Sequence, residues 1–284
     1  MTDVARLRPL MFAIAYRMTG SVAEAEDIVQ EAFLRMHDAA TAPDSPDAYA
    51  TTVTTRLAID HLRSARVRRE RYVGMWLPEP LLEPDTRDPA ARVELAETVS
   101  IAFLVVLERL SPVERAVFVL REAFGYEYGA IAAIVGQTAQ TCRQTLSRAR
   151  AHLAEERPRF EASVERRDEL ARRFFAACED GDLAALEKVL AEDIVFYADN
   201  AGRKPAIPHP LAGRADVARF LLGLFRYARA ERLDVEAATV NGQPGGVVRD
   251  AQGLVVAVFG LHIVDGHIAS VHNVLSAEKL RHLI

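Results

Sequence analysis

LSPVERAVFVLREAFGYEYGAIAAIVGQTAQTCRQTLSRARAHL, residues 110–153, is the stretch on which the reading of this chain turns. Ser111-Pro112-Val113-Glu114 is a capping box with proline in the first turn, so a helix is predicted over Val113–Phe124. Gly125 can take the left-handed conformation that ends it. Tyr128–Val135 predicts a second helix, Gly136 a turn, and about Ala139 to Leu153 a third. Two short helices joined by a tight glycine-containing turn form a helix-turn-helix pattern. In the third helix Thr138 is a plausible N-cap, and Cys142, Leu146, Ala149 and Leu153 recur at helical spacing as an inward face. Cys142 therefore reads as a core residue. Gln140, Arg143, Gln144, Ser147 and Arg148 fall outward. Arginine can bond guanine bidentately, glutamine adenine, and serine a base or a phosphate. A solvated bundle helix would carry a similar outer face, so this segment alone leaves both readings open.

Upstream, residues 8–70 read as helical. Ser21 and Glu24 form a second capping box, followed by Val22, Ala25, Ile28, Val29, Ala32, Phe33 and Met36 at helical spacing. Glu24, Asp27 and Glu31 then share an exposed face. Ser45-Pro46-Asp47 opens the next helix. Its buried stripe is Tyr49, Val53, Leu57, Ala58, Leu62 and Ala65, and its outer face runs from Thr51, Thr52, Thr54 and Thr55 to Arg56, Arg63 and Arg66. Between Arg63 and Arg71 there are five arginines and one acid, Glu70. Cations at a helix C-terminus complement its dipole, but so dense a cluster repels itself unless an anion is near, which favours phosphate binding. The net charge of −5 hides this local asymmetry.

Residues 72–92 change character. Pro78, Pro80, Pro84 and Pro89 exclude a continuous helix. The only tryptophan of the chain sits here, in Trp76-Leu77-Pro78-Glu79-Pro80, and so apolar a string is expected to dock. From about Arg166 the pattern becomes mixed: helices at 166–179 and 183–191, a strand at Ile194–Ala198, a polar loop at 199–213 and a helix at 215–228. Strand-like runs follow at 232–240, 245–249, 254–264 and 267–275, with Asp265-Gly266 as a hairpin signal. Helices first and strands later suggest an α+β domain.

The 284 residues suggest about two domains, and half are hydrophobic, enough for packed cores. No apolar run approaches the roughly 20 residues that span a bilayer. The N-terminus MTDVARLRPL lacks a signal-peptide shape. A cytoplasmic protein is expected, with no membrane association. Cys142 and Cys178 match no metal spacing, and a disulfide is not expected in a reducing compartment. No metal or cofactor is anticipated.

Taken together, these segments resemble the extracytoplasmic-function sigma factors of the sigma-70 family. AYRMTGSVAEAEDIVQEAFLRMHDA is similar to the segment that binds the polymerase clamp, AYATTVTTRLAIDHLRSARVRRE to the minus-ten-element reader, and residues 110–153 to the minus-thirty-five-element reader. WLPEP and the added C-terminal region resemble the subgroup with a SnoaL-like extension. The resemblance implies a multidomain chain with two all-α domains, the second with the helix-turn-helix, followed by an α+β SnoaL-like cone. Residues 1–71 would be sigma domain 2, 72–98 the linker, 99–157 sigma domain 4 and 166–284 the extension. Core RNA polymerase and promoter DNA are the implied partners. Glu24, Asp27 and Glu31 would meet polymerase. Arg56, Arg63, Arg66, Arg68, Arg69, Thr138, Gln140, Arg143, Gln144, Ser147 and Arg148 would meet DNA. The subgroup's DGGGK-like loop is held here by Asp199-Asn200-Ala201-Gly202-Arg203-Lys204, and its NPDK-like string by Ser276-Ala277-Glu278-Lys279. Trp76, Leu77, Pro78, Asp199, Lys204, Glu278 and Lys279 are thus interdomain candidates. The Trp76–Pro80 string is expected to pack near the 199–204 loop or the tail at 276–284. Asp199, His209, His262 and His272 are candidates to line a pocket in the extension, where an Asp or His could move a proton or a small ligand could bind. An interdomain role without catalysis is the favoured reading. The other is a helix-turn-helix regulator fused to a ligand-sensing or catalytic pocket.

Overall fold

A computed structural model describes residues 4–38, 45–69, 72, 74–82, 99–154, 163–202 and 209–283. The chain divides into two compact units, one of residues 1–71 and 104–157, the other of 72–103 and 158–284. The proline-containing segment therefore belongs with the C-terminal unit.

The first unit is helical. It contains α1 (Val4–Thr19), α2 (Val22–His37), α3 (Pro46–Arg69), most of α4 (Ile101–Leu107), α5 (Pro112–Phe118), α6 (Tyr128–Val135) and α7 (Ala139–Ala154). Ser21 caps α2 by accepting from the Glu24 N–H, and Ala25, Ile28, Val29 and Ala32 face the core. Leu7, Met11, Val29, Ala32 and Ala50 join α1, α2 and α3. Ser111 and Glu114 close both halves of a capping box at α5. The helix expected over Val113–Phe124 changes register: after Phe118 it runs on as a π-helical turn, Val119–Ala123. Gly125 stands at φ 67°, and the Tyr126 N–H reaches back to the Leu120 carbonyl, 3.0 Å away. Gly136, at φ 69°, ends α6. One expectation fails inside α3. Thr51, Thr54 and Thr55, expected on its outer face, are fully buried, because α3 packs against α5 and α6 there.

The C-terminal unit is α+β, with α8 (Val164–Asp180), α9 (Leu183–Val189) and α10 (Arg214–Ala230) on a six-stranded sheet. The strands are β1 (Leu190–Asp199), β2 (Leu211–Ala212), β3 (Asp234–Val240), β4 (Gln243–Arg249), β5 (Val255–Val264) and β6 (His267–Val274), in the order β2-β1-β6-β5-β4-β3. β1 and β6 are parallel, and the other pairs are antiparallel. Strand β1 starts earlier than its apolar run suggests, because Leu190 pairs with Ile268 across an irregularity in register. The β3–β4 and β5–β6 hairpin turns, Asn241-Gly242 and Asp265-Gly266, have positive φ at both central residues, the type I′ preference of tight hairpins. The core is aromatic: Phe174 packs edge-on to Phe175 and Phe225, and Phe259 completes the cluster. Gly246 makes room for it, since a Cβ there would lie 2.5 Å from Phe259 Cζ.

Candidate functional site

Helix α7 is built to present one face. Cys142, Leu146, Ala149 and Leu153 are buried, while Thr138, Gln140, Arg143, Gln144, Ser147 and Arg148 are exposed. Thr138 Oγ1 accepts from the Thr141 N–H at 3.1 Å, fixing the helix start. The Arg143 guanidinium lies 5.1 Å from the Tyr128 ring centroid, so α6 steadies that side chain. Burial pushes the Cys142 thiol up, in keeping with a packing role.

The acidic face of α2 is less uniform than its spacing suggests. Asp27 is exposed. Glu31 pairs with Arg35 at 2.8 Å. Glu24 is half-buried and contacts His61 of α3 at 3.0 Å, so part of its charge is directed inward. Arg56 also differs from expectation. Its Nε and Nη2 donate to the Ile134 and Ala133 carbonyls, each at 2.9 Å. It therefore caps the end of α6, and that fork is engaged with protein rather than offered to phosphate. Nearby, the Thr51 and Tyr126 hydroxyls share a 2.8 Å hydrogen bond. Arg115 is buried and donates to the Met18 carbonyl at 2.6 Å and to Glu108 at 2.8 Å. These contacts hold α1 and α3 against α5 and α6. Arg63 is exposed and pairs with Asp60 at 3.2 Å. Arg66, Arg68 and Arg69 lie on the last turns of α3, and their side chains fall outside the described residues.

A densely bonded site lies in the C-terminal unit. Asp199, at the end of β1, has no exposed surface. Its carboxylate accepts from the Tyr72 hydroxyl at 2.6 Å, the Leu77 N–H at 2.8 Å, the Ala201 N–H at 3.1 Å and Lys279 Nζ at 2.6 Å. Lys279 also donates to the Leu77 carbonyl. Its ammonium stands 4.3 Å from the Trp76 ring centroid and 4.9 Å from that of Tyr72. The carboxylate accepts four hydrogen bonds, and the ammonium donates two and faces two aromatic rings, the kind of compensation under which a buried ion pair is tolerated. Burial, then the hydrogen bond to Asp199, raise the Tyr72 pKa, so its proton stays on the hydroxyl. Leu77, Pro78, Glu79 and Pro80 are all buried.

A second clamp follows. Asn241, in the β3–β4 turn, is fully buried. Its Oδ1 accepts from the Leu81 N–H at 2.9 Å, its N–H donates to the Leu81 carbonyl at 2.8 Å, and its Nδ2 donates to the Val99 carbonyl at 3.1 Å. His282 Nε2 meets the Pro80 carbonyl at 2.8 Å. One turn thus holds both ends of the segment 81–99. Glu278 is exposed and outside these contacts, and Lys204 lies outside the described residues. Tyr72, Asn241 and His282 are the contributors that sequence reasoning missed. Asn241-Gly242 falls between two expected strand runs without being singled out, and nothing local signals burial of the asparagine.

None of Asp199, His209, His262 or His272 lines the apolar cavity of this unit, whose walls are Phe174, Phe196, Leu221, Phe225, Phe259 and Asn273 among others. Asp199 is taken up by the clasp. His209 is exposed. His272 is buried and stacked on Tyr197, centroids 4.9 Å apart. Burial, and then the charge of His262, lower its pKa to about 3, so it is neutral. Among the described residues no cluster of His, Cys, Asp or Glu could hold a metal ion, and no helix is long and apolar enough to cross a membrane.

Three family models match in order: Sigma-70 region 2 over residues 4–68, Sigma-70 region 4 over 100–153, and a SnoaL-like domain over 171–271. The chain is 36% identical to the ECF RNA polymerase sigma factor SigJ of Mycobacterium tuberculosis over 282 residues, 96% of this chain and 90% of the relative. It is 36% identical to the probable ECF RNA polymerase sigma factor SigI of the same organism over 278 residues, 96% of this chain and 92% of the relative. The crystal structure of M. tuberculosis SigJ superposes with a TM-score of 0.78 at 32% identity, over 97% of this chain and 96% of that one. The chain belongs to the extracytoplasmic-function RNA polymerase sigma factors of the sigma-70 family, in the group that carries a C-terminal SnoaL-like domain.

Proposed function

We propose that this chain is an alternative sigma factor that directs core RNA polymerase to its promoters in the cytoplasm, and that its own C-terminal unit restrains it. Two sigma-type regions in the expected order, followed by the SnoaL-like domain, carry the first part. The exposed face of α7 reads the upstream promoter element, and the end of α3 binds near the downstream one. Asp27 and Glu31 contribute to polymerase binding.

The restraint follows from reach. The two elements of a promoter of this type lie about 25 base pairs apart, about 85 Å along B-form DNA. Fully extended, the chain from Tyr72 to Val99 covers about 90 Å. With Leu81 and Val99 both on Asn241, only the stretch from Tyr72 to Leu81 is left to extend, about 30 Å. The docked segment leaves the two readers less reach than a free one, so engagement of both on DNA with polymerase favours opening of the clasp. A ligand or partner shifts such an equilibrium by its differential affinity for the two arrangements. The C-terminal unit acts as a regulator and not as a catalyst, since Asp199 is fully occupied in the clasp.

Transcription in vitro tests the first part. Core polymerase with the full chain is expected to start at defined promoters that core alone ignores. Absence of any start dependent on this chain refutes it.

A further inference from the structure

The C-terminal unit encloses a cavity of about 280 Å³, walled by α8, α10 and the sheet. Four phenylalanines, Phe174, Phe196, Phe225 and Phe259, supply much of its surface, and the polar side chains that line it are Tyr227 and Asn273. Tyr227 is 59% exposed and Leu275 39% exposed, so these two residues mark its mouth. Asn273 is only 8% exposed, and its Oδ1 is buried without a hydrogen-bond partner. A buried amide oxygen left unpaired in an apolar wall is costly, and native proteins rarely keep one without a reason. The clasp does not use it.

We propose that this cavity is a binding site for a small uncharged molecule built mainly of rings, with one N–H or O–H that donates to Asn273 Oδ1. The volume sits at the lower end of the range for ligand pockets and suits about 15–20 non-hydrogen atoms. A charged occupant would lose its hydration with no counter-charge on the walls. The phenylalanine edges and faces favour aromatic or alicyclic rings. The occupant also has a route to the clasp, a step that rests on the sigma-factor reading above. Asn273 pairs with Ala198 across the β1–β6 ladder, and the Leu275 and Ser276 N–H groups donate to the Asp199 carbonyl. The cavity wall and the residue that holds Leu77 are thus neighbours on two adjacent strands.

N-phenyl-1-naphthylamine is a suitable probe: uncharged, three-ringed, fluorescent in apolar surroundings, and with one N–H. Titrated into the full chain, it is expected to bind saturably at one site. Leu224→Trp, which fills the cavity from α10, should weaken binding at least about tenfold. Val256→Trp repeats the block from β5 should the first variant fail to fold. Asn273→Leu should weaken the naphthylamine about fivefold and leave 1-benzylnaphthalene, which has CH₂ in place of N–H, bound as before in competition. Non-saturable binding, or binding indifferent to both filling variants, overturns the site. Equal loss of both compounds with Asn273→Leu overturns the hydrogen bond. Neither readout involves promoter or polymerase, so a failure here is separable from a failure of the sigma-factor reading.

Discussion

Lys279 shows what a single residue does in this chain. Its ammonium is held by a buried carboxylate, a backbone carbonyl and two aromatic faces. Lys279→Met leaves Asp199 buried without its countercharge, and removing one partner of a buried pair costs about 3–5 kcal/mol. Release of Trp76–Pro80 is the expected response. Trp76 is the only tryptophan, so intrinsic fluorescence reports its environment alone; a red-shifted emission is expected, and an unchanged spectrum would mean that the segment stays docked without the lysine. His272 bears on pH. Its pKa falls from 6.5 to about 3 on folding, so the folded state binds fewer protons than the unfolded chain between those values. Stability is full above pH 6.5 and is lost progressively as pH falls toward about 3. Melting temperature is expected to drop across that window and to drop less in His272→Gln; parallel curves would remove His272 as the cause. At this scale the sequence was partly legible. Asp199, Lys279, Trp76, Leu77 and Pro78 were singled out, and the structure brings them together. Tyr72 and Asn241 were not, because a turn asparagine and a linker tyrosine carry no signal of burial until their partners, far away in the chain, are in place.

Elements were read more easily than contacts between them. The Ser21 cap of α2, the capping box of α5, the glycines Gly125 and Gly136 and the hairpin at Asp265-Gly266 are local devices, written in neighbouring residues. The strand runs were legible for the same reason. The buried threonines of α3 and the cap that Arg56 places on α6 were not, since they depend on how helices pack. That packing changes the test of the acidic helix. Reversing Glu24 would break its contact with His61, whereas Asp27→Lys with Glu31→Lys alters the outer face of α2 alone. The double variant is expected to lose affinity for core polymerase in a titration while its melting temperature holds, because charge complementarity steers such encounters; unchanged affinity would remove α2 from the interface. On α7, Arg143→Ala and Gln144→Ala in holoenzyme should relax preference at particular upstream positions, by about 1–3 kcal/mol for each good base contact. Arg63→Ala should instead weaken binding to all sequences and flatten its salt dependence. Equal losses on every sequence for both sets would mean that α7 binds without reading. In the sheet, Gly246→Ala drives a methyl group into Phe259 and should destabilise the C-terminal unit by about 1–3 kcal/mol, measured by denaturant unfolding.

For the molecule as a whole, one chain combines two DNA-reading segments with a domain that grips the connection between them. Neither composition nor periodicity shows that grip. The net charge of −5 averages a basic helix end with acidic surroundings, and the proline-rich stretch reads locally as a spacer. Its two ends meet on Asn241 only through the fold, and the proposed restraint acts there. Opening this clasp should therefore favour the form that spans both promoter elements. Transcript yield from a cognate promoter, measured at fixed core polymerase for the natural chain, Lys279→Met and Asn241→Ala, tests this. Both variants are expected to initiate at the same start site with yields several-fold higher at subsaturating sigma; yields equal to or below that of the natural chain, with both variants folded, would contradict it.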